Sequence, residues 1–121
     1  MITVFGLKNC DTCRATRQYL AERDFVHEFR DVRDDGFSEE ELDQWLAAAS
    51  WEKLLNKSSA TWRGLDDADK ADMDAAKARR LLLAHPTLIK RPVINTGRPP
   101  DEPVVTVGFD KDVRDILRSL F

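Results

Sequence analysis

Cys10 and Cys13 are the only cysteines of the chain, and they follow a short apolar run at its start. A thiolate, and not a thiol, is the working nucleophile, so a reactive cysteine needs neighbours that stabilise negative charge. If Cys10 begins a helix, the unpaired N–H groups and the dipole of that helix supply one such neighbour. Lys8, Arg14 and Arg17 are local cations that could supply another, with Asp11 working against them. Helical rise and radius would set the two cysteine Cα atoms about 5 Å apart, inside the ~4.4–6.8 Å span of a disulfide. Attack by Cys10 followed by resolution from Cys13 is then geometrically accessible, which is the usual logic of Cys-x-x-Cys after a strand. Two plainer readings compete. The pair could be half-buried and inert, since free cysteine often behaves as a small hydrophobe. Cys10, Cys13, His27 and His85 also make the ligand count of a zinc site, but the histidines lack zinc-pair spacing.

The elements that would position Cys10 follow from periodicity. Ile2 to Phe5 form a β-branched and aromatic run ending at Gly6, and a helical pattern follows from about Asp11 to Arg23. Phe25, His27 and Phe29 alternate with Val26 and Glu28, predicting a second strand that continues to Val32. Two parallel strands joined by one helix need a right-handed crossover, which puts the cysteine loop at the carboxyl end of the first strand, where α/β sheets bind ligands.

From Ser38 to about Pro86 the pattern is helical. Ser38 with Glu41 makes a capping box, and Leu42, Trp45, Leu46 and Ala49 share one face. Trp45, Trp51 and Trp62 are expected in the core of this lobe, and Asp66-Asp67 to Asp74 as a solvated helix and its cap. Ala75 to Ala84 reads as a helix stopped by His85-Pro86. Val93 to Thr96 and Val104 to Val107 then suit an antiparallel hairpin, and a last helix from near Asp110 carries Val113, Ile116, Leu117 and Leu120 on one stripe. The order βαβ, helical insertion, ββα is that of an α/β, thioredoxin-like fold with a four-stranded mixed sheet. We expect residues 1–121 to be one domain with residues 36–86 as an inserted helical lobe.

Composition narrows the function classes. At 121 residues the chain can bury a core without disulfide or metal staples. Its net charge of −3 disfavours direct nucleic-acid binding. The start, Met1-Ile2-Thr3-Val4-Phe5-Gly6, lacks a basic leader and long apolar run, so a cytoplasmic protein with no membrane contact is expected.

Three separated segments carry a resemblance. They are Gly6-Leu7-Lys8-Asn9-Cys10-Asp11-Thr12-Cys13, then Trp51-Glu52-Lys53-Leu54-Leu55-Asn56 with Thr61-Trp62-Arg63, and finally Leu88-Ile89-Lys90-Arg91-Pro92-Val93 followed by Val107-Gly108-Phe109. In this order they resemble the arsenate reductase (ArsC/Spx) family, above all its YffB-like branch. The resemblance implies a thioredoxin-like fold, a catalytic cysteine at Cys10, an anion-holding arginine at Arg91, and a cis peptide at Arg91-Pro92. Arg63 resembles the family's mid-chain arginine, and Lys8 and Asn9 beside the cysteine complete the expected anion-binding set. The family's reductases pass an arsenate adduct to glutathione or glutaredoxin, so glutathione is the expected co-substrate, with no bound cofactor or metal.

Two departures matter. True arsenate reductases carry a further arginine before the last helix, where this chain has Val107-Gly108-Phe109, and Arg98 is the substitute at hand. They also lack a cysteine at the position of Cys13, whereas Spx has Cys-x-x-Cys. The leading expectation is a monomeric, glutathione-linked reductase acting through Cys10 on arsenate, another oxyanion or a mixed disulfide. The alternative is an Spx-like redox-sensing regulator that binds RNA polymerase, with Cys10 and Cys13 as its switch.

Overall fold

The computed structural model describes residues 1–121. Four strands, β1 (Ile2–Gly6), β2 (His27–Asp31), β3 (Val93–Asn95) and β4 (Val105–Val107), form one mixed sheet in the order β2-β1-β3-β4. β1 pairs parallel with β2 at Val4–Phe29 and antiparallel with β3 at Val4–Ile94. β3 and β4 pair antiparallel at Ile94–Thr106. The parallel pair is joined by α1 (Asp11–Glu22), as the crossover rule requires. Between β2 and β3 the chain forms α2 (Glu39–Ala48), three single-turn helices α3 (Trp51–Leu54), α4 (Ala60–Arg63) and α5 (Asp67–Lys70), and α6 (Ala75–Ala84). A 3-10 turn (Pro86–Leu88) leads into β3, and α7 (Lys111–Leu120) closes the chain.

Strand alternation divides the core in two. Ile2 and Val4 of β1 pack with Leu20 of α1 and Val113 and Leu117 of α7. Phe5, on the opposite face, joins Leu42, Trp45, Leu54, Leu82 and Leu88 of the helical segment. Trp45 is fully buried, with its ring centroid 4.8 Å from that of Phe5, whereas Trp51 and Trp62 are half-buried against the same cluster. Ser38 and Glu41 make both bonds of the capping box, and the Glu41 carboxylate also grips Arg30 of β2 at 2.6 Å. That pair fastens α2 to the edge of the sheet.

The elements begin and end close to where the sequence puts them, with reasons for each difference. β2 starts at His27 and not Phe25, because Asp24 adopts a φ of 57° and the Phe25 amide bonds back to Leu20 O at 2.9 Å. It stops at Asp31, whose buried carboxylate accepts the Arg33 and Asp34 amides and turns the chain. β3 stops at Asn95, whose side chain accepts the Gly97 amide at 2.9 Å. No helix is long and apolar enough to cross a membrane.

Candidate active site

The floor of the site is the turn from β1 into α1. Cys10 is the N-cap residue, in extended conformation, and its carbonyl accepts the Arg14 amide at 3.0 Å. Cys13 lies in the first turn of the helix and is buried beneath it. Gly6 makes room for that sulfur, since a Cβ built at Gly6 would overlap Cys13 Sγ. Asp31 braces the same turn from the end of β2. Its Oδ2 accepts the Lys8 amide at 3.0 Å, while Oδ1 takes the Arg33 and Asp34 amides, each at 2.8 Å. Burial opposes the charge on Asp31, but the amides of Asp34, Lys8 and Arg33 and the nearby Arg33 charge outweigh it and keep its carboxyl below the ordinary range.

The wall comes from distant sequence. An isolated antiparallel bridge joins Leu55 to Ile89, with the Asn56 amide donating to Leu88 O at 2.8 Å and the Lys90 amide to Leu54 O at 2.7 Å. Both bridge side chains are buried, so the zipper is also a packing contact. It sets Lys53 and Asn56 beside Lys90 and Arg91. The Arg91-Pro92 peptide is cis, and Pro92 O accepts the Gly108 amide at 2.8 Å. Gly108 holds a φ of 84°, a conformation open to glycine, with space in front of it. Arg91 Nη1 donates to Thr87 O at 3.1 Å, while its Nε is buried without a partner.

Floor and wall enclose a cleft of about 580 Å³. Cys10 and Thr12 line one side, Lys53, Asn56, Lys90 and Arg91 the other, and Val107 to Asp110 close the end. Three cations and one carboxylate thus face a cleft in a protein of negative net charge.

The two sulfurs have opposite proton affinities. Partial burial works against charge on Cys10, but the Cys13 amide and thiol together with the Arg91 guanidinium prevail and hold Cys10 below its ordinary value. Burial and the neighbouring Cys10 sulfur together push Cys13 up to about 12, against the Leu7 amide and the Arg91 charge. Cys10 is therefore the more acidic of the two thiols and Cys13 the protonated donor beside it.

Of the residues proposed from sequence, the structure brings Cys10, Cys13 and Arg91 together and leaves three elsewhere. Arg63 does not line the cleft. It ends the single-turn α4, is exposed, and spends its guanidinium on Ser58 O at 2.7 Å. Lys8 is also outside, its ammonium paired with Asp34 at 3.3 Å, so its contribution is its main-chain bond to Asp31. Asn9 is exposed at the turn and outside the lining. Arg98 reaches Leu120 O and stacks on Phe121, so it does not stand in for a further arginine of the cleft. His27 Nδ1 bonds to Phe25 O, and no three His, Cys, Asp or Glu side chains converge as metal ligands.

Lys53, Asn56 and Lys90 sit in the three motifs, but nothing local in the sequence marks their place in the cleft, and Asp31 lies outside the motifs. The available signal was the run Asp31-Val32-Arg33-Asp34-Asp35-Gly36 at a strand end, a composition that favours side-chain bonds to following amides.

A four-stranded mixed sheet with a cysteine at the first helix start and a cis-proline loop against it defines a thioredoxin-like protein. The chain belongs to the ArsC family, whose model matches residues 5–116. Among solved structures, the YffB protein superposes with a TM-score of 0.86 at 38% identity, covering 97% of this chain and 98% of its own. An arsenate reductase (ArsC) related protein from Brucella melitensis gives 0.72 at 35% identity, covering 98% and 95%. A Haemophilus influenzae protein of uncharacterised function is 44% identical over 78% of this chain and 82% of its own. The global transcriptional regulator Spx of Listeria innocua is 25% identical over 93% of this chain and 82% of its own.

Proposed function

We propose that this protein is a glutathione-linked thiol reductase in which Cys10 is the nucleophile. The observation that carries the reading is the guanidinium of Arg91, delivered from a remote segment to the sulfur of a cysteine at a helix start. In the proposed step the Cys10 thiolate attacks one sulfur of a glutathione mixed disulfide. A Cys10–glutathione bond forms as the original S–S bond breaks, and the departing thiolate takes its proton from solvent. A second glutathione thiolate then attacks the adduct, which releases glutathione disulfide and restores Cys10.

The lining supports glutathione as co-substrate. Its two carboxylates suit Lys53, Lys90 and Arg91, and its single ammonium suits Asp110. Cys13, held as a thiol near 12, donates to the Cys10 thiolate, and glutathione is the resolving thiol. A mixed disulfide is favoured over arsenate because Arg91 is the one guanidinium in the lining, and a tetrahedral oxyanion calls for several converging donors.

The test is turnover of glutathione mixed disulfides, and of arsenate with glutathione, by wild type and Cys10→Ser. Cys10-dependent turnover of the disulfides is expected, and equal rates in the two proteins contradict the assignment.

The adjacency of the two sulfurs favours a second reading, an Spx-like regulator that binds RNA polymerase and switches through a Cys10–Cys13 disulfide. Copurification with polymerase in reduced and oxidised states tests it, and absence of binding in both removes it.

A further inference from the structure

None of the residues of α4 lines the Cys10 cleft, yet this single turn is tied to both segments of the wall. At its start, the Ser59 amide and hydroxyl donate to Asn56 O at 3.2 and 2.8 Å, while Ser59 Oγ accepts the Trp62 amide at 3.1 Å. Further along, Thr61 Oγ1 lies 2.5 Å from Thr87 Oγ1, in the 3-10 turn that leads to Lys90 and Arg91. The main-chain bridge at Leu55 and Ile89 already joins the two segments, so the hydroxyl pair is a second tie between them.

Thr87 is also the anchor of the guanidinium. Its carbonyl accepts Arg91 Nη1 at 3.1 Å, while Arg91 Nε is buried without a partner. A guanidinium is a rigid planar fork on a long flexible stem, so fixing one Nη sets the direction in which the rest of the fork points. Ordering such a stem costs on the order of 2 kcal/mol of rotamer freedom, and an anchor present before the ligand arrives removes that cost from binding. The place of Thr87 O therefore decides where Arg91 sits relative to Cys10. The separation of the two threonine oxygens is one that a hydrogen bond allows and apolar groups do not. Carbon atoms in contact stand about 3.5–4.0 Å apart, so valine at both positions would push the 3-10 turn away from α4 by about an ångström.

We propose that Thr61 and Thr87 are positioning residues, whose hydroxyl pair fixes the turn that aims the Arg91 guanidinium at the Cys10 sulfur. The proposal rests on the reductase reading and gives α4 a part in it. It assigns the Thr61-Trp62-Arg63 segment a role that Arg63, bonded to Ser58 O, does not supply. Arg91 is among the groups that favour the ionised form of Cys10, so a misplaced guanidinium has a direct readout at the sulfur.

The test compares Thr61→Val, Thr61→Ser and the double variant Thr61→Val with Thr87→Val against Arg91→Ala. It reads Tm, the pH midpoint of Cys10 alkylation, and kcat/KM for the cysteine–glutathione mixed disulfide. Thr61→Val is expected to move the midpoint upward, in the direction of Arg91→Ala and by less, and to lower kcat/KM about fivefold. Thr61→Ser keeps a hydroxyl and restores both. The double variant strands no hydroxyl, so its Tm stays near that of wild type while midpoint and kcat/KM change as in Thr61→Val. In an Arg91→Ala background Thr61→Val changes neither any further. A fall in Tm with the midpoint and kcat/KM of wild type, or equal effects of Thr61→Val with and without Arg91, overturns the positioning role. Absence of Cys10-dependent turnover in wild type overturns the reductase reading instead. Alkylation needs no disulfide substrate, so the two failures are distinguishable.

Discussion

The floor and the wall of the Cys10 cleft are built by different means. The floor is one turn of chain, Gly6 to Cys13, shaped by the start of a helix and braced by Asp31. The wall is assembled from Lys53 and Asn56 on one segment and Lys90 and Arg91 on another, held together by two main-chain bonds and a buried apolar pair. The floor supplies the reacting atom and the shape around it. The wall supplies charge, which tunes that atom and holds its ligand. A change to the floor should therefore remove chemistry or structure, and a change to the wall should shift a pKa or an affinity.

The sharpest break in that comparison is at the sulfur. Cys10→Ser is expected to lower kcat/KM for a glutathione mixed disulfide by roughly a thousandfold or more, with Tm unchanged, because a hydroxyl stays protonated where a thiolate acts. Retained turnover would move the nucleophile elsewhere. Next is Asp31→Ala, which strands the Lys8, Arg33 and Asp34 amides around a buried position. A loss of roughly 3 kcal/mol in denaturant unfolding at neutral pH is expected. The pH dependence has a fixed sign. Because folding depresses the Asp31 pKa, its stabilisation is complete above the unfolded-state value and is lost as pH falls through the lower folded value. Wild type and Asp31→Ala should therefore converge in stability under acid, and a gap that persists there would contradict the brace.

Changes to the wall are expected to be smaller and of a different kind. Lys90→Ala is expected to act on binding more than on the Cys10 thiol, since Lys90 is exposed and the cation of the wall that acts foremost on the thiol is Arg91. It should raise KM for glutathione a few-fold, about 0.5–1 kcal/mol, with kcat unchanged and with the effect fading at high salt. A fall in kcat with KM unchanged would place Lys90 in the reaction and not in binding. The smallest effect belongs to Cys13→Ser. The serine hydroxyl keeps a donor beside the thiolate, so turnover should stay within about threefold of wild type if glutathione resolves the adduct. Loss of turnover to the level of Cys10→Ser would make Cys13 the resolving thiol.

The same division decides what could be read from the sequence. The strand, turn and helix that carry Cys10 are local, so periodicity and the Cys-x-x-Cys spacing were enough to place them, and the capping box of α2 was legible for the same reason. The wall depends on pairing between residues over thirty positions apart, which leaves no local signature. Lys53 and Asn56 look like polar residues of a helix end, and only the bridge from Leu55 to Ile89 turns them toward Arg91. Arg63 lies outside the cleft for the converse reason. An arginine near a motif draws attention, but its direction is set by a single-turn helix whose last residue reaches back to Ser58. Asp31 was missed because hydrophobic alternation assigns polar strand-end residues to solvent, while three converging amides justify burying this one.

The central claim is that Arg91, from the wall, adds to the Cys13 amide and thiol in lowering the pKa of the floor's cysteine. Its most direct test is the pH dependence of Cys10 alkylation in wild type and in Arg91→Ala. Cys10 should titrate below the ~8.5 of a free thiol, and Arg91→Ala should move the midpoint upward, since an adjacent opposite charge favours the ionised form. Identical midpoints in the two proteins, both at the value of a free thiol, would contradict the account.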